Sequence, residues 1–158
     1  MYSITITNQQ DEYQVNESLI HDAVQTALKI HGVVNAVLDV AILDPEEMQQ
    51  VNVRHLGHDY PADVLSFLLE ETDDSIEGEV LVCPAVASEW SKKYGWEPEN
   101  ELVLYAVHGT LHIIGFDDLT PEDEVEMRSA EREVLSEFNL TPPWELKDSA
   151  SNGSEPGV

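Results

Sequence analysis

The chain has 158 residues, with 32 Asp and Glu against 7 Lys and Arg, and a formal net charge of −25 with histidine neutral. That length suits one domain with one real core, and 42% hydrophobic residues, dispersed along the chain, argue against global disorder. No apolar run approaches the roughly 20 residues a membrane span needs, and the scarcity of Lys and Arg counts against broad affinity for phosphates or anionic membranes. At physiological salt, fields decay over about 8 Å, so a local patch can still act. The single cysteine, Cys83, excludes an intramolecular disulfide framework and a cysteine-rich zinc finger. It fits a reducing compartment, and Met1-Tyr2-Ser3-Ile4-Thr5 lacks the blocks of a secretion signal. A cytoplasmic location is therefore expected. Any metal would be held by His and carboxylate.

Residues Tyr2 to Thr7 alternate as a half-buried strand does. Asn16 or Ser18 caps a predicted helix running to His31, with Leu19, Ala23, Ala27 and Ile30 at helical spacing and Gly32 as its stop. A second strand spans Ala36 to Leu43, and Asp44-Pro45-Glu46-Glu47 starts a helix that ends near Arg54. Val64 to Leu69 forms a third strand. The acid-rich stretch Glu70 to Glu79 reads as an exposed connection. Val80 to Cys83 is a short central strand, and Pro84 opens a helix to about Tyr94. A further helix covers Pro98 to Ile114, stopped by Gly115. Thr120 caps a last amphipathic helix with Met127, Ala130, Val134 and Phe138 on one face. The expected fold is mixed α and β (α+β): a single four-stranded mixed sheet with helices packed on it. One domain is expected over 1–147, with a flexible tail over 148–158.

The stretch with chemistry in it is His108-Gly-Thr-Leu-His112-Ile-Ile-Gly115-Phe-Asp117-Asp118. Two histidines four apart share one face of a helix, so both rings can reach one ion. Gly115 can take a left-handed conformation and end the helix abruptly, so that a side chain three residues later doubles back to the same ion. The spacing resembles the extended zinc motif of metzincin peptidases, with Asp118 where the last histidine usually stands. Carboxylate oxygen is an acceptable zinc ligand, and three protein ligands leave one position open. Asp117 is the rival third ligand if the turn shifts by one residue. Gly109 occupies the place of the peptidase general base and cannot move a proton, which argues against peptidase chemistry by that route. A second polar cluster runs from Asn52 through Arg54, His55, His58 and Asp59 to Asp63, leading into the third strand.

Together these stretches resemble the bacterial rRNA maturation endoribonuclease family, YbeY. The histidine stretch is similar to that family's His-Gly-x-Leu-His signature, and Asp63-Val64-Leu65-Ser66-Phe67 to its Asp-Val-Leu-Ser-Phe element. Gly78 to Cys83 resembles the family's Gly-Asp-Ile strand, and Met127 with Glu131 to Leu135 its final helix. The likeness runs over about residues 35 to 138. Asp118 stands in place of the third zinc histidine, and the family's loop arginine falls on Leu56. The resemblance implies one zinc ion per chain on His108, His112 and Asp118, with Arg54 or His58 taking the missing arginine's part against phosphate. It further implies single-stranded RNA, in particular ribosomal RNA, as substrate, and the small ribosomal subunit and its proteins as partners. A metal-binding assembly factor with little turnover is the competing expectation; a zinc hydrolase of another class is a third.

Overall fold

The computed structural model describes residues 1–142. In chain order its elements are β1 (Tyr2–Asn8), α1 (Glu17–Ile30), β2 (Asn35–Ile42), α2 (Pro45–Leu56), β3 (Val64–Glu71), β4 (Ser75–Val82), α3 (Pro84–Tyr94), α4 (Pro98–Ile113) and α5 (Pro121–Ser136). Among the described residues the strands form one four-stranded sheet of order β1-β2-β4-β3. β1, β2 and β4 run parallel, and β3 pairs antiparallel to β4 at the edge. The expected mixed sheet is present. The tail expected over 148–158 lies outside the described residues.

Strand alternation decides which face is core. Ala36, Leu38, Val40 and Ile42 of β2 join Val80 and Val82 of β4 in the main core with α1, α4 and α5. The intervening Ala41, Leu43 and Leu81 look the other way and pack with Met48 of α2, Leu65 and Cys83. α4 packs against α1, α3, α5, β3 and β4, so it is apolar around almost its whole circumference and lies at the centre of the molecule. The remaining helices are conventional. Asn16 caps α1 through a 3.1 Å bond from the Leu19 amide, and Asp44 caps α2 through a 2.8 Å bond from the Glu47 amide.

Three local expectations are corrected. The buried stripe of α1 is Ile20, Ala23, Val24, Ala27 and Leu28; Ile30, two residues beyond Leu28 and so about 200° around the helix, is exposed. Phe138 lies past the end of α5 but still packs against the core. The acid-rich stretch is no connection. β3 and β4 form a hairpin through it, with Glu70 opposite Glu77 and the turn closed by Thr72 and Ser75. Acids at these positions stay in water while Ile76 and Val80 reach the core side, so ladder pairing outweighs a screened repulsion.

Gly109 shows how tightly α4 sits on the sheet. A Cβ there would lie 2.6 Å from Cγ1 of Val80 and 3.1 Å from Cγ2 of Val64. Gly to Ala inside a helix ordinarily stabilises by about 1 kcal/mol. Gly109→Ala is expected to do the reverse, lowering stability by about 1–3 kcal/mol through overpacking, as measured by denaturant unfolding.

Candidate metal centre

His108 and His112 occupy successive turns of α4. Gly115, at φ +114°, then breaks the helix, and the amides of Gly115 and Phe116 close onto the carbonyls of His112 and Leu111 at 3.1 and 2.9 Å. This reversal returns Asp117 and Asp118 to the end of α4. Asp117 Oδ1 accepts the Asp118 amide at 2.7 Å, so it shapes the turn. Asp118 Oδ2 faces the imidazoles, 3.7 Å from His108 Nε2 and 3.8 Å from His112 Nε2. One donor atom from each of His108, His112 and Asp118 lies within 4.8 Å of the others.

The hydrogen bonds fix which nitrogens are free. His108 Nδ1 donates to Glu131 Oε2 at 2.5 Å, and His112 Nδ1 donates to the Phe116 carbonyl at 3.1 Å. Each ring therefore presents its Nε2 to the other, 3.0 Å apart. Two lone pairs so placed repel unless a proton or a cation lies between them. Tetrahedral zinc with bonds of about 2.0–2.1 Å sets its ligands about 3.3 Å apart. The donor set fits such an ion: two imidazole nitrogens and a carboxylate oxygen, with the Nδ1 hydrogens anchored.

Charge is distributed unevenly around the pair. Burial pulls His108 toward the neutral form, but the hydrogen bond and charge of Glu131, with Asp118 and Asp63, outweigh it and raise its pKa. His112 moves the other way, lowered by burial and by the charge of His108. Metal and proton compete for the same place.

Arg54 and His58 lie elsewhere. Arg54 lines a groove on the open sheet face with Asp39, Glu47, His55, Phe67 and Glu79, and none of these belongs to the histidine group. His58 stacks on Tyr60 with ring centroids 5.5 Å apart. Both line a hollow of about 430 Å³ with Leu56, Asp63, Val64 and Trp90. That hollow abuts the histidine helix, because Val64, which lines it, also packs against Gly109. The structure thus brings together His108, His112 and Asp118 but leaves Arg54 apart.

Two carboxylates were not singled out from the sequence. Glu131 is fully buried; the signal was an acid on the apolar stripe shared by Met127, Ala130 and Val134. Asp63 accepts the Val64 amide at 2.7 Å, and its Oδ2 has no hydrogen-bond partner among the described residues. Burial is the largest influence on Asp63 and raises its pKa from 3.8 to about 7, against the lowering effect of the Val64 amide and His108. Its folded form binds a proton that the unfolded form has released, so metal-free stability falls as pH rises from about 4 to 7. Asp63→Asn is expected to flatten that slope, gaining on the native chain by a few kcal/mol between those limits. Denaturant unfolding with a chelator at pH 5 and pH 8 measures it.

A family profile described as endoribonuclease YbeY matches residues 5–139. The endoribonuclease YbeY of Staphylococcus epidermidis is 37% identical over 117 residues, covering 68% of this chain and 76% of the relative. That of Bacillus licheniformis is 34% identical over 134 residues, covering 77% and 85%. The solution structure of TM1509 from Thermotoga maritima aligns over 100% of this chain and 99% of its own, with a TM-score of 0.61 and 25% identity. The matched region contains most of β1, the whole of β2, β3 and β4, all three metal-candidate side chains and both Asp63 and Glu131, and on that extent the chain belongs to the endoribonuclease YbeY family.

Proposed function

We propose that this protein is a zinc-dependent, single-strand-specific endoribonuclease acting in ribosomal RNA maturation and ribosome quality control in the cytoplasm. The observation that carries the reading is the convergence of His108 Nε2, His112 Nε2 and an Asp118 oxygen in a chain of this family. Nitrogen and carboxylate donors suit zinc, and three of them leave a position for a reacting group. A zinc ion held there would supply Lewis acidity, polarising a phosphoryl oxygen and making bound water far more acidic than bulk water.

The chain's own residues bind and orient. Substrate comes to the side of His112 and Asp118, whose side chains are 28% and 31% exposed, while His108 is shielded at 5%. Asp118 offsets part of the cation's charge. His58, on the rim of the hollow beside Asp63, contacts phosphate when protonated. Arg54 contacts a phosphate further along the strand, from its groove beside α2.

One observation favours a second reading, a metal-binding ribosome-assembly factor with little turnover. Among the described residues, no Lys or Arg lines the hollow next to the histidines, and Leu56 occupies its wall. A surface of charge −25 also suits basic ribosomal proteins.

Elemental analysis after zinc reconstitution is expected to give about one zinc per chain, lost in His112→Ala and retained less well as pH falls, because protons claim the same lone pairs. Short single-stranded RNA is cleaved by the zinc-loaded native chain, and roughly 100-fold or more slowly by His112→Ala at equal fold content. Zinc binding without cleavage, together with capture of small-subunit proteins, establishes the assembly reading. Cleavage unchanged in His112→Ala overturns the metal-dependent one.

A further inference from the structure

A carboxylate is among the costliest side chains to bury without a partner. Glu131 lies wholly inside the packed face of α5, between Ala130 and Val134. Its Oε2 is directed at His108 Nδ1, 23 residues away in the chain, while Oε1 has no hydrogen-bond partner among the described residues. An acid kept only to hold α5 in place gains most by satisfying both oxygens. This one leaves an oxygen unpaired and keeps the bond to the imidazole.

We propose that Glu131 is a positioning residue: it fixes His108 with its hydrogen on Nδ1 and its Nε2 lone pair toward His112 and Asp118, and thereby sets the affinity of that group for a divalent cation. The inference rests on reading the three residues as a metal group, and it is independent of RNA cleavage. Both imidazoles are held in the same tautomer but by unlike partners. His112 has a neutral carbonyl, Phe116, whereas His108 has a full negative charge. A carboxylate behind an imidazole makes its far nitrogen a stronger donor. Asp118 in front and Glu131 behind together match the charge of a divalent ion, one by contact and one through the ring.

Glu131→Gln keeps the volume and can keep a hydrogen bond while removing the charge. Competition against a zinc chelator at about pH 7.5 is expected to show zinc bound about 10–100-fold more weakly than by the native chain. Helical circular dichroism of the two remains equal. In zinc-loaded native protein the His108 Nδ1 hydrogen gives a strongly downfield proton resonance, which moves upfield in Glu131→Gln. Equal zinc affinity with an unmoved resonance overturns the inference while leaving the metal site standing. A native chain that takes up no zinc overturns the metal reading and the inference together. If Glu131→Gln does not fold, the native spectrum decides, since a zinc-loaded His108 lacking hydrogen on Nδ1 contradicts the proposed tautomer.

Discussion

Two imidazole nitrogens face each other at 3.0 Å, each with its ring's other nitrogen already engaged. That arrangement is tolerable only with positive charge between them, and the surrounding architecture serves it. α4 must be buried on nearly all sides to hold both rings in fixed rotamers. Gly115 must reverse the chain to bring Asp118 back, and α5 must dock with an acid on its inner face. Together these elements create one concentrated demand for a cation near the centre of a highly acidic molecule.

The overall charge and the local chemistry operate at different ranges. Most acids are exposed and screened over about 8 Å at physiological salt, so they act chiefly on encounter and solubility. Asp63 and Glu131 are shielded by protein, and their fields bear directly on His108. A polyanion therefore meets repulsion at a distance, and any attraction must come from groups acting at close range.

Periodicity and caps made most of the fold legible, because Asp44, Thr120, Gly95 and Gly115 mark boundaries through local backbone chemistry that tertiary packing does not override. The hairpin through Glu70 to Glu79 was hidden, since composition reports solvent exposure and exposed strands share it with loops. Spacing alone does not take Ile30 off the stripe of α1, because a helix end can turn an apolar side chain to water at small cost. At the candidate centre, the two histidines and Asp118 follow from spacing along one helix and one turn. Glu131 does not, because its partner is 23 residues away and only the docking of α5 on α4 makes them neighbours. Asp63 was visible as a residue but not as a perturbed acid, since burial is a property of the assembled fold.

The missing side chain at position 109 carries a consequence for what this scaffold can become. Zinc peptidases of the His-Glu type place their proton-transfer glutamate immediately after the first histidine, and here Val80 occupies the space into which even the first carbon of that glutamate would project. Conversion to such a protease would require the sheet to retreat from its central helix, with the hydrophobic interior rebuilt around the gap. Strand and helix are thus too close together for the two chemistries to be exchanged by point substitution, and the barrier between them is set by interior packing as much as by the identity of any reacting group.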